Sequence, residues 1–117
     1  MPGRVSRGDV VEVRLDPTKG AEIKKKRPCV VIQNDIGNSV YPLTIVAPIT
    51  GAENKVKLFP VYVAVQRGDG GLSKDSVILC DQIRTVDESR IVQTLGRMPD
   101  SVMERVNTAL KISLALP

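Results

Sequence analysis

The apolar residues of this chain fall in short runs rich in β-branched side chains, broken by proline, glycine, asparagine or aspartate, and that pattern favours a small sheet. In residues 10–15, Val11, Val13 and Leu15 point one way while Glu12 and Arg14 point the other, which describes a half-buried strand. DPTKG then opens a long exposed loop. CVVIQ, bounded by Pro28 and NDIGN, is a continuous apolar run of strand length and reads as a central strand. LTIVAPIT repeats the pattern, with Pro48 marking a strand edge or bulge near its end. VKLFPVYVAV is a further strand interrupted at Pro60, RGDGGLSKD a turn, and SVILCDQIRTV a strand again. RIVQTLGRM is a short strand or an irregular closing segment.

Only the last stretch has helical period. Met103, Val106, Leu110 and Leu114 follow spacings of three and four, and Val102 and Ala109 widen the apolar face. Ser101 with Glu104 predicts a capping box, preceded by Pro99. The expected fold is mainly β: a strongly bent antiparallel sheet or small barrel, covered on one side by a C-terminal helix. At 117 residues this is one domain spanning the chain. A chain of this size buries roughly two-thirds of its unfolded surface and needs no metal or disulfide to build a core. That core must be aliphatic, because aromatic residues make up 3% of the chain: Tyr41, Phe59 and Tyr62. Their scarcity counts against modules that bind by stacking bases on aromatic platforms.

The net charge of +4 is unevenly spread. Residues 19–27, KGAEIKKKR, hold five of the seventeen cations and one of the thirteen anions, so the rest of the chain is neutral. A basic run is commonly just a solvated loop. Here it abuts a strand through Arg27-Pro28, and proline biases the residue before it toward extended backbone, which aims the guanidinium in a fixed direction. The arginine fork matches phosphate oxygens, whereas a lysine is a mobile point charge. Arg27 is thereby expected to bind one phosphate, with Lys24, Lys25 and Lys26 attracting a polyanion at longer range.

The chain has no histidine, which removes the usual neutral-pH acid and base and excludes Ser-His-Asp and Cys-His arrangements. It has no P-loop and no carboxylate cluster with metal spacing; Asp75 and Asp81 flank a strand without a metal signature. Cys29 and Cys80 lie in apolar runs and read as buried free thiols rather than zinc ligands. With no signal peptide and no run of eighteen apolar residues, the expectation is a soluble, cytoplasmic protein without cofactor, metal or membrane contact. Any catalysis must rest on positioning and charge stabilisation. Thr50, at the end of a β run, is either an ordinary strand-terminal threonine or a hydroxyl donor beside the phosphate. Gln82 and Arg84, two apart in a presumed strand, would share a face, either for cross-strand pairing or for reading base edges.

Five segments taken together, RGDVVEVRLDPTKGAE, KRPCVVIQNDIGN, TIVAPIT, DSVILCDQIRTVD and ALKISLAL, resemble the MazF/PemK family of toxin endoribonucleases. The likeness runs in order from Arg7 to Leu116. It implies a small SH3-like barrel of the PemK/CcdB type with a C-terminal helix, working as a homodimer. It further implies metal-independent cleavage of single-stranded RNA at short preferred sequences, leaving 2′,3′-cyclic phosphate and 5′-hydroxyl ends, and restraint by a cognate antitoxin. The family's catalytic arginine and threonine fall on Arg27 and Thr50, and its RNA-contacting polar strand on Ser76, Asp81 and Gln82. Gly20, Glu22, Arg27 and Pro28 fit the family's loop pattern, but Ile23 and Lys25 stand where many relatives have glutamine and glycine. The cationic segment would also attract an acidic peptide, so the expected antitoxin carries an acidic, initially disordered tail. The competing readings are a CcdB-like toxin that inhibits a topoisomerase by protein contact, and an RNA-binding barrel without cleavage.

Overall fold

The computed structural model describes residues 4–15, 26–54 and 59–117. Among these, seven strands form one antiparallel sheet: β1 (Asp9–Arg14), β2 (Lys26–Val31), β3 (Leu43–Gly51), β4 (Tyr62–Val65), β5 (Ser76–Leu79), β6 (Arg84–Asp87) and β7 (Ile91–Arg97). Two helices accompany them, α1 (Asp35–Val40) and α2 (Asp100–Ser113). The strand order is β4-β5-β3-β2-β1-β7, with β6 beside the first half of β3. Strand β3 is the hinge of this arrangement. Along one edge it pairs first with β6 (Leu43↔Asp87 to Val46↔Arg84) and then with β5 (Ile49↔Ile78 to Gly51↔Ser76). Pro48 sits between those two stretches, where the neighbouring strand changes and a missing N–H costs little.

The sheet is buried on both faces, which explains why its inner strands read as continuous apolar runs. One face gathers Val11, Val13, Cys29, Val31, Val46 and Val86, inside the curl made by β6, β3, β2, β1 and β7. The other gathers Val10, Val30, Ala47, Ile49 and Ile78 beneath the α2 residues Val102, Met103, Val106 and Ala109. Neighbours such as Val10 and Val11 therefore serve opposite cores. The two ends of the curl, β6 and β7, are joined by the short turn Glu88–Arg90 but share no ladder among the described residues. The result is a strongly bent open sheet rather than a closed barrel.

Several expectations need correction. SVILCDQIRTV is two strands, because a turn closed by the Gln82 N–H to the Leu79 carbonyl (3.2 Å) separates β5 from β6. Among the described residues of VKLFPVYVAV, the strand covers Tyr62–Val65; residues 55–58 lie outside the described residues. Of the two readings of RIVQTLGRM, the strand is the one observed, as β7, with two register shifts in its ladder with β1. Helix α2 starts one residue before Ser101, with the Pro99 carbonyl as its first acceptor, from Val102 N–H (3.0 Å) and Met103 N–H (3.1 Å), so the Ser101–Glu104 capping box does not form. Leu114 lies past the end of α2 and is half-exposed, outside the buried face.

NDIGN, expected only to end a strand, forms α1. The Asn34 side chain accepts from Gly37 N–H (2.8 Å) as its cap, and Asp35 occupies the first turn. A bond from the Arg7 backbone N–H (2.7 Å), with help from the Asn38 amide, holds the Asp35 carboxyl below the usual carboxylate range. Asn38 is buried, and its side-chain oxygen accepts from the Thr44 hydroxyl (2.7 Å) and the Gln33 amide (3.0 Å), while its nitrogen donates to the Gln33 carbonyl (3.0 Å). These bonds tie the end of β2 to the start of β3. An Asn38→Ala variant leaves the buried Thr44 hydroxyl without its acceptor and is expected to lose about 1–3 kcal/mol of stability, read as a lower urea midpoint. An unchanged midpoint contradicts this account of the connection.

Candidate active site

The β2–β3 ladder has three rungs, Val31↔Val46, Val30↔Ala47 and Cys29↔Pro48, and stops there. Continued in the same register it would set Pro28 against Ile49 and Arg27 against Thr50. Instead the strands part. Beyond the last rung β2 keeps company with β1 (Pro28↔Glu12, Arg27↔Val13), while β3 joins β5 (Ile49↔Ile78, Thr50↔Val77). Proline lies on both arms of this fork: Pro48 in the last rung, and Pro28 at the next position, where it has no N–H to offer. The opening is a cavity of about 100 Å³ lined by Arg27, Pro28, Ile49, Thr50, Lys74 and Ser76 among others.

Three residues expected to work together from widely separated parts of the chain thus border one opening. Arg27 is half-buried in β2, its backbone braced on both sides by Val13 and by the proline that follows. Thr50 is buried near the end of β3, and Ser76 is buried at the start of β5. The Ser76 hydroxyl donates to the Lys74 carbonyl (2.9 Å), fixing the turn that leads into β5. A permanent guanidinium and hydroxyl-bearing side chains around a small opening are groups with the chemistry to bind one tetrahedral anion. Lys74 was not anticipated from the sequence, because SKD reads as ordinary turn chemistry.

The remaining expected residues are distributed differently. Lys26 is exposed at the start of β2, one position before Arg27; Lys24 and Lys25 lie outside the described residues. Asp81 and Gln82 sit in the turn beyond the far end of β5, a strand that spans roughly 10 Å from Ser76 to Leu79 at 3.3 Å per residue. The Asp81 carboxylate accepts from the Tyr62 hydroxyl (3.1 Å), and Tyr62 in turn lies 5.8 Å from the Phe59 ring. Gln82 and Arg84 do not share a strand face, since Gln82 is in the turn and β6 begins at Arg84. The Arg84 guanidinium donates to the Leu15 carbonyl (3.2 Å) and Arg90 donates to the Arg14 carbonyl (3.1 Å), so two arginines hold the end of β1.

Other chemistry near the opening is muted. Burial pushes the Cys29 thiol up to about 12 against the pull of Arg84, and burial with the Asp81 charge pushes Cys80 up to about 11. Both thiols stay protonated at neutral pH and are poor nucleophiles. Among the described residues, no three His, Cys, Asp or Glu side chains gather as a metal site, and no helix is long and apolar enough to cross a membrane. A wider groove of about 540 Å³ borders Ser76 on the other side, walled by Ala64, Gln66, Asp75 and Arg105. Arg105 closes it from α2 by donating to the Ala64 carbonyl.

The chain is similar to known proteins over nearly its whole length. It is 47% identical over 110 residues to the Endoribonuclease MazF of Staphylococcus saprophyticus, a match covering 94% of this chain and 91% of that protein. Its fold is similar to a crystal structure of MazF from Deinococcus radiodurans (TM-score 0.82, 26% identity, 97% of this chain and 99% of that one). A MazE–MazF crystal structure from the same organism is also similar (TM-score 0.76, 26% identity, 98% and 100% of the two chains). Residues 6–114 match the family described as PemK-like, MazF-like toxin of type II toxin-antitoxin system. The chain belongs to that PemK/MazF toxin family.

Proposed function

We propose that this protein is an endoribonuclease toxin that cuts single-stranded RNA, messenger RNA in particular, at short preferred sequences without a metal ion. The observation that carries the reading is the fork: Arg27 and Thr50 face one opening in a chain 47% identical to a protein named Endoribonuclease MazF. RNA brings its own nucleophile. The 2′-hydroxyl attacks the adjacent phosphorus, the P–O5′ bond breaks, and the proton lost by the 2′ oxygen is balanced by one gained at the 5′ oxygen. The products are a 2′,3′-cyclic phosphate and a 5′-hydroxyl. Negative charge accumulates on the non-bridging oxygens at the five-coordinate stage, where a preorganised donor acts most strongly. Arg27 holds two of these oxygens with its fork, and the Thr50 hydroxyl donates to the same group. The fixed charge of Arg27 supplies there the stabilisation that other nucleases draw from a cation.

Sequence preference falls to residues beyond the cleaved phosphate. The turn bearing Asp81 and Gln82 stands one strand length from the fork, a distance that suits contact with a neighbouring base through carboxylate and amide groups. Lys26, with Lys24 and Lys25, draws in the backbone, and Arg84 supports the end of β1 from which that basic segment departs. The proposed setting is the cytoplasm, and the working form a homodimer. The related MazE–MazF assembly supports a cognate antitoxin as partner. An acidic tail that folds on binding fits the +4 charge of residues 19–27 and would compete with RNA for it.

Arg27→Ala is expected to lower cleavage by 10²–10³ or more, since removing one such donor costs about 3–4 kcal/mol at the transition state, with the melting transition retained. Arg27→Lys should also be poor, because a fork becomes a point charge. Full activity in the lysine variant contradicts two-point phosphate binding. A short unstructured RNA should be cut equally well in EDTA, and a single 2′-deoxy substitution on the 5′ side of the cleaved bond should abolish cutting there. Rescue of EDTA-treated protein by magnesium, or cleavage at the deoxy position, contradicts the mechanism.

A further inference from the structure

The opening at the fork has a second cation on its wall. Lys74 lines it beside Arg27 and Thr50, yet its ammonium is turned to the Glu53 carboxylate at 2.6 Å. Both side chains are more than half exposed, at 59% and 56%. An exposed pair of this kind contributes little to stability, because water screens the attraction and two long side chains lose freedom. It is easily exchanged for another partner.

The backbone under the pair is, in contrast, fixed. Gly51 pairs with Ser76, Ala52 N–H donates to the Asp75 carbonyl (3.0 Å), and Arg67 N–H donates to the Asp75 carboxylate (2.9 Å). Lys74 is thereby held at the edge of the opening, and only its flexible stem needs to move. Glu53 stands on the short turn Ala52–Asn54 that follows β3. Its carboxylate lies over Gly51, so close that a Cβ there would come within 2.2 Å of Glu53 Oε1. The bond from Lys74, ahead of any other cause, keeps that carboxyl below its usual range, so it is an anion at neutral pH. An anion is thus parked beside a site built for phosphate, satisfying a cation that the phosphate could use.

We propose that Lys74 is a further phosphate-binding residue of the RNA site, and that Glu53 occupies it in place of RNA until the strand arrives. The inference rests on the reading of the fork as an RNA site. Incoming backbone exchanges the Glu53 carboxylate for a phosphate on Lys74, so the pair sets a threshold for binding: weak polyanion contacts do not open it, and a strand anchored at Arg27 does. Glu53 then repels RNA that is not so anchored, which links affinity to correct seating at the fork.

The test is binding of a short single-stranded RNA carrying a 2′-deoxy nucleotide at the cleavage position, followed by fluorescence anisotropy over a range of salt. The whole chain is used as wild type, Lys74→Ala, Lys74→Arg, Glu53→Gln and Arg27→Ala. Lys74→Ala should bind more weakly and lower the slope of log affinity against log salt by about 0.7, the share of one phosphate on a single strand. Lys74→Arg should keep the wild-type slope. Glu53→Gln should bind several-fold more tightly, because the competing anion is gone. Unchanged affinity and slope in both Lys74→Ala and Glu53→Gln, or weaker binding in Glu53→Gln, overturns the inference and leaves an ordinary surface ion pair. Wild-type protein that does not bind the RNA, or whose binding and cleavage are indifferent to Arg27→Ala, overturns the reading of the fork itself.

Discussion

The parting of β2 from β3 after the Cys29↔Pro48 rung is the constraint on which the candidate site depends. A continued ladder would bury Arg27 and Thr50 in backbone pairing, with no room for a ligand between them. Two prolines prevent this at little cost, since neither strand is left unpaired: β2 stays with β1, its partner on the other edge throughout, and β3 passes to β5. The same handover bends the sheet. A feature that shapes the fold therefore also makes the opening, and Arg27, Thr50 and Ser76 sit on strands rather than on loops.

That placement suits a reaction with no histidine available for proton transfer. Where catalysis relies on fixed charge, the charge must not relax away from the developing anion. Arg27 has its backbone in a ladder and a proline after it; Thr50 and Ser76 are buried in strands packed over the α2 core. Adjustable parts lie around this rigid centre. Lys74 and Glu53 are exposed on flexible stems at its edge. Fixed groups at the opening with movable ones at its edge suit the proposed capture of a polyanion and reaction at one phosphate.

Much of this was legible in the sequence, for identifiable reasons. β-branched runs bounded by turn residues marked the strands, because burial on both sheet faces demands such runs. Arg27 stood out because proline fixes its surroundings and charge is concentrated beside it. Thr50 did not stand out by itself, since a strand-terminal threonine is ordinary; only the family resemblance singled it out. The break between β5 and β6 was hidden because CDQI contains neither glycine nor proline, and its turn is closed by a backbone bond alone. Helix α1 is too short to display a period, although Asn34 followed by Asp35 was a cap signal in plain view. Lys74 and Glu53 were invisible for a different reason. They are twenty-one residues apart, and only the pairing of β3 with β5 brings their turns together.

The central claim is that the fork holds the phosphate to be cut. A crystal structure of the protein with a short RNA blocked by a 2′-deoxy nucleotide at the cleavage position tests it directly. The account predicts one phosphate in the opening, with two of its oxygens on the Arg27 guanidinium and the Thr50 hydroxyl within hydrogen-bond distance. A bound strand whose phosphates all lie away from Arg27 and Thr50, with the fork empty, contradicts it.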